Sequence, residues 1–160
     1  MSRVGRASRN ASLMRVETLG NGTSTAVGSE KTIAAAEAGE LYLIDHNHAS
    51  ALTITLPAMK AGAYFKFIWV TLMDDNTATV VFNSADNTAG DFGGTIIEQV
   101  PHAADGVTST ETCASEDILT IGSTNDTSIG SWLEVVCDGS TWWWTGTIIG
   151  AAAGNAVFST

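Results

Sequence analysis

An all-β protein, an antiparallel β-sandwich of jelly-roll type with an extended N-terminal arm, is predicted by three features of this sequence. Short runs alternate apolar and polar residues with a period of two, and turn-forming clusters separate them. The composition favours strands: Thr, Val, Ile and aromatics are frequent, Gly is plentiful at 16, and Pro occurs only at Pro57 and Pro101. The stretch "GSWLEVVCDGSTWWWTG" at 130–146 reads as a hairpin closed by Asp138-Gly139-Ser140. A chain of 160 residues makes one domain with a sizeable core.

Taken in order, residues 1–30 are rich in Ser, Thr, Gly, Asn and Arg and lack periodicity, so they are expected to form a basic arm that orders only against a neighbour. A β-domain is expected over 31–149. "TIAAAEAGE" at 32–40 suits either a short helix or a strand lead-in. Strands are expected at 40–45, 51–56, 63–70, 77–82, 117–121, 132–137 and 141–149. In "ALTITL", Leu52, Ile54 and Leu56 share one face; in "AYFKFIWV", Phe65, Phe67 and Trp69 form the better core face, with Lys66 opposite. The separators "PAMKAG", "MDDN", "NSADNTAGDFGG" and "GSTNDTSIG" read as turns. Residues 99–116 read as a long polar surface loop, and 150–160 as a tail leaving the sheet.

If Cys137 faces Trp142 across the last turn, Leu133, Val135, Cys137, Trp142 and Trp144 belong to the core face. Trp132, Glu134, Val136, Trp143 and Thr145 then lie on the other. Trp132 and Trp143 are thus candidates for contact with another subunit.

Charge is unevenly spread. Arg3, Arg6, Arg9 and Arg15 give residues 1–16 a charge of +4, and three Lys against seventeen acids leave −14 on the rest, for the net −10. An acidic body repels nucleic acid and anionic membranes except at the arm, and four arginines make a poor nucleic-acid groove. The first residues show positive charge but no apolar signal-peptide core, and no apolar run reaches the length of a membrane span. Cys113 and Cys137 have no metal-ligand spacing. They read as small buried hydrophobes in a reducing compartment, with a disulfide between them geometrically open.

His46 and His48 in "DHNH" would share a strand face, but no third ligand lies at a recognisable spacing, and a polar turn is the expected reading. The acidic stretches "MDDN" and "NSADNTAGD" lack the Gly and Glu placement of an EF-hand loop. No nucleophile elbow, phosphate loop, dinucleotide fingerprint or HExxH motif occurs, so neither catalysis, nor a cofactor, nor a metal is expected.

The string "LTITLPAMKAGAYFKF", a series of polar turns and then "GSWLEVVCDGSTWWWTG" resemble a β-module of tailed-bacteriophage virion proteins. The matching residues are Leu56, Pro57, Ala58, Gly62, Phe65, Phe67, Asp138, Gly139, Trp142 and Gly146, within roughly 32–148. Such modules look like capsid decoration (cement) proteins or the heads and collars of tail fibres. No shaft or heptad run accompanies the module, which favours decoration. The resemblance implies a homotrimer on the outside of the capsid, assembled in the host cytoplasm, with the major capsid protein as partner. The arm arginines would pair with carboxylates of the shell. An adhesin that stacks glycans on tryptophan is the alternative.

Overall fold

The computed structural model describes residues 15–22, 30–75, 77–85, 90–101, 107–122 and 126–160. Among these residues, twelve strands form two sheets: β1 (Val16–Gly22), β2 (Glu30–Thr32), β3 (Leu41–His46), β4 (Ala51–Thr55), β5 (Tyr64–Trp69), β6 (Thr79–Asn83), β7 (Phe92–Val100), β8 (Val107–Glu116), β9 (Ile118–Gly122), β10 (Trp132–Cys137), β11 (Trp142–Ile149) and β12 (Ala156–Ser159). Sheet A has the order β1-β3-β5-β10-β11-β7-β8, and sheet B the order β12-β9-β6-β4-β2. The molecule is therefore an all-β sandwich, as the alternation predicts.

The pairing is mixed rather than purely antiparallel. β1, β3 and β5 run parallel in sheet A while β2, β4 and β6 run parallel in sheet B. The cause is the winding: each strand from β1 to β6 crosses to the facing sheet instead of turning back beside itself, so it returns in the same direction. Val16 pairs with Leu41 and Leu41 with Lys66, an advance of 25 residues at each step. The second half is mainly antiparallel, with hairpins β7–β8 and β10–β11 and a parallel contact of β11 with β7.

The expected core faces are the observed ones. Leu52, Ile54, Leu56, Phe65, Phe67, Trp69, Leu133, Val135, Cys137, Trp142 and Trp144 are all buried. Trp144 is the hub, with its ring 5.0 Å from Phe82, 5.4 Å from Phe92 and 6.2 Å from Phe67. Two of these contacts are edge-to-face, the arrangement the ring quadrupole favours.

Three segments differ from their sequence reading. Residues 16–22, assigned to the arm, form edge strand β1. The presumed loop 99–116 holds the end of β7 and all of β8; its Ser/Thr-rich alternation carries no apolar signal because β8 is an edge strand with one face to water. Within the presumed tail, β12 closes the edge of sheet B against β9. The ambiguous 32–40 stretch yields only a single 3-10 turn, Ala35–Glu37.

Polar side chains fasten both flanks. On one, Lys31 of β2 donates to Glu17 of β1 (2.8 Å) and to Glu37 (3.0 Å), joining the two sheets. Burial opposes the Lys31 charge, but the bonds and charges of Glu17 and Glu37 more than compensate and hold its pKa above the ordinary lysine value. On the other flank, the buried carboxylate of Glu98 on β7 accepts from the backbone N–H of Ala156 (2.6 Å) and Gly154 (2.8 Å) and from Ser109 Oγ (2.8 Å).

Candidate interaction surface

The outer face of sheet A is built by register. Tyr64, Val136, Trp143 and Gly93 lie side by side across β5, β10, β11 and β7. Two residues along the strands, Lys66, Glu134, Thr145 and Thr95 make a polar row; two further on, Ile68, Trp132, Thr147 and Ile97 make a second mixed row. Two rows with aromatic and aliphatic side chains thus flank a polar stripe.

Trp143 is 49% exposed, yet it is not loose. Its indole Nε1 donates to Asp138 Oδ2 at 2.7 Å. Its ring lies on Gly93, where an added Cβ would come within 2.8 Å of Cζ3. A side chain at 93 would lift the ring off the sheet, so glycine is what lets the indole lie there. Asp138 also accepts from Ser140 N, Ser140 Oγ and Thr141 N, closing the turn that the sequence predicts. The bond from Trp143, followed by those from Ser140 and Thr141, holds the Asp138 carboxyl far below the usual carboxylate range. It therefore stays an anionic acceptor at any physiological pH.

Trp132 is half-buried, with Lys66 Nζ 5.0 Å from its ring centroid. The same ammonium pairs with Glu134 at 2.7 Å, and Glu134 in turn raises the Tyr64 pKa, after burial, by its hydrogen bond and charge. Trp132 and Trp143, singled out from the sequence, therefore share one face but stand two rows apart. Strand geometry places them about 13 Å apart along the strand direction. The cation on Trp132 and the glycine bed under Trp143 were not legible, because both depend on strands brought together from distant parts of the chain.

Of the arm candidates, Arg3, Arg6 and Arg9 lie outside the described residues. Arg15 pairs with Glu40 at 2.8 Å, at the start of β1. Glu40 belongs with Glu17 and Glu37 to a carboxylate group whose oxygens approach within 4.8 Å. Arg15 and Lys31 pair with all three of its carboxylates and offset two of their three charges, which makes it an ion-pair network. Tyr42, beneath that network, has its hydroxyl pKa pushed up by burial and then by the carboxylates around it.

The histidines form the polar turn that the sequence suggests. His46 Nε2 lies 2.8 Å from Ser50 O, and His48 Nδ1 2.9 Å from Ser50 Oγ. Burial lowers the His46 pKa, with the Ser50 bond opposing it. Cys113 and Cys137 are separate free thiols, both buried. Burial and the hydrogen bond to Glu116 push the Cys113 thiol up to about 12, so it is a poor nucleophile. Two recesses at the Pro57–Gly62 turn hold about 140 and 100 Å³. Both fall below the ~300 Å³ at which small-molecule pockets begin.

Comparison with protein-family models, with curated proteins and with solved structures gives no match.

Proposed function

We propose that this chain is a virion structural protein that binds the outside of a tailed-bacteriophage capsid and stabilises it by bridging neighbouring capsid subunits. The observation that carries the reading is the outer face of sheet A, where Trp143 is exposed but already immobilised by Asp138 and Gly93. An aromatic ring fixed before binding loses little further conformational entropy, and central aromatics dominate protein interfaces. The resemblance of the Leu-Pro-Ala turn and closing tryptophan hairpin to phage virion modules supplies the identity of the shell.

On this reading, sheet A meets a neighbouring copy in a homotrimer through Trp132 and Trp143. Arg3, Arg6 and Arg9 precede β1 and engage carboxylates of the major capsid protein. Each contact need contribute only a few kcal/mol, because binding to the assembled state alone stabilises it and many copies act together. The role is non-catalytic and requires no cofactor.

A second reading is favoured by one detail. The pinned Trp143 ring with the Asp138 carboxylate beside it would also suit stacking of a sugar, as in a tail-fibre or surface adhesin. One experiment separates the two. Quantitative mass spectrometry of purified virions gives the copy number relative to the major capsid protein, and re-binding of purified chain to undecorated heads gives the affinity. About one copy per capsid subunit, with re-binding lost on deletion of residues 2–14, is the expected result. A handful of copies together with Trp143-dependent glycan binding favours the adhesin, and absence from particles refutes both.

A further inference from the structure

The inner face of sheet B runs out in an unusual way. β6 and β9 pair Val80 with Ile121 and Phe82 with Leu119, all four buried. The next inward pair is polar: Ser84 N donates to the carbonyl of Asp117 at 3.1 Å, and the period of two turns both side chains inward. Ser84 and Asp117 are each only 2% exposed, yet Ser84 Oγ and Asp117 Oδ1 have no hydrogen-bond partner among the described residues. Buried polar atoms are almost always satisfied, and an unpaired buried carboxylate is among the costliest exceptions.

Asp117 is also the single residue between β8 and β9, where the chain passes from sheet A to sheet B. On the sheet A side, the buried Asp91 precedes Phe92, which pairs with Glu116 next to Asp117, and it lines one recess together with Ala85, the residue after Ser84. Three buried, oxygen-bearing residues from the ends of β6, β7 and β8 are thereby placed at one corner of the sandwich. Of the described cations, Arg15, Lys31 and Lys66 pair with Glu40, with Glu17 and Glu37, and with Glu134, and no salt bridge among the described residues reaches Asp117.

We propose that this corner binds a hard divalent cation of the calcium class through the carboxylates of Asp117 and Asp91 and the hydroxyl of Ser84. The donor set is all oxygen, which suits calcium and excludes the preferences of zinc or copper. Calcium tolerates irregular coordination completed by main-chain carbonyls and water, whereas magnesium demands a near-ideal octahedron. The ion ties the β8–β9 crossing to the end of β6. This departs from the expectation that the chain holds no metal: the stretch "NSADNTAGD" contributes Ser84 and Asp91, with Asp117 supplied by a distant segment. The proposal stands independently of the virion reading.

The test uses the full chain stripped with EDTA, followed by thermal denaturation and by terbium emission excited through tryptophan. Calcium at a hundredfold excess over its dissociation constant is expected to raise Tm by about 5 °C or more, with magnesium giving a smaller rise. Asp117→Asn abolishes the shift and the terbium signal while keeping the β spectrum, and Ser84→Ala weakens calcium binding several-fold. Glu37→Gln leaves both readouts as in the unaltered chain. Should Asp117→Asn not fold, the titration of the unaltered chain and of Ser84→Ala decides. No response of Tm or terbium emission to millimolar calcium overturns the proposal, as does a response lost in Glu37→Gln instead.

Discussion

Replacing Glu98 by glutamine changes one atom at the flank where β12 is fastened, and the structure sets the size of the effect. Glu98 Oε1 accepts from Ala156 N, while Oε2 accepts from Gly154 N and Ser109 Oγ. A glutamine has one oxygen, so whichever way the amide is turned, its NH₂ faces a backbone N–H. The cheaper orientation keeps the oxygen on the buried Ala156 N–H and gives up the bond from the exposed Gly154 N–H, a charge-assisted bond worth about 1.5–3 kcal/mol. A destabilisation of about 1.5–3 kcal/mol follows for Glu98→Gln. Alanine orphans all three donors, but its cost saturates at the cost of detaching β12, which buries Ala156 and Phe158 and pairs four residues with β9. That ceiling is about 5 kcal/mol. Urea denaturation gives the stability change, and hydrogen exchange locates it: residues 153–160 lose protection while β5, β10 and β11 keep theirs. An unchanged midpoint with full protection of β12 in Glu98→Gln would refute the assignment of Glu98 as the anchor.

Gly94 has φ +121°, and a Cβ there would fall 2.0 Å from the carbonyl oxygen of Trp144. Gly94→Ala is therefore expected to cost several kcal/mol, on the order of 3 or more, and a variant within 1 kcal/mol of the unaltered chain in urea would contradict the close approach of β7 and β11. His46 has its pKa lowered by burial, so below about pH 6.5 the unfolded chain binds more protons than the folded one. Stability is accordingly full above about pH 6.5, declines as pH falls from there towards the folded pKa, and levels off below it; in His46→Gln, denaturation midpoints measured from pH 7 to 5 should lose that part of the slope.

Legibility of the fold followed the apolar signal. Wherever one strand face is packed on the facing sheet and the other is polar, as in "ALTITL" and "WLEVVC", the alternation located the strand and named its buried residues correctly. It failed where the alternation is among Ser, Thr and Gly. β8 reads "VTSTETCASE" because an edge strand needs little apolar surface, and β7 carries Gly93-Gly94 after Phe92 because Trp143 and the Trp144 backbone occupy the space a side chain would fill. The direction of pairing was illegible for a different reason. Strand periodicity is the same whether the chain doubles back or crosses to the other sheet, so nothing in the residues of β1–β6 distinguishes a hairpin from a coil. At the candidate surface, the exposure of Trp143 followed from parity with Trp142 and Trp144, while its immobilisation by Asp138 needed the closed turn. Glu98 and Asp117 went unremarked because a carboxylate in a polar-looking stretch gives no sign of being buried.

The placement of the two edge strands has a consequence for reach. β1 and β2 share one flank, joined by Lys31, whereas β12 packs beside β8 on the other. From β1 to β8, sheet A takes six interstrand steps, about 29 Å at ordinary spacing. Anything attached ahead of β1 and anything attached after β12 thus leaves from opposite sides of a stiff plate of that width. Whatever those two points hold is kept apart by the width of the sandwich, with the aromatic face of sheet A lying broadside between them.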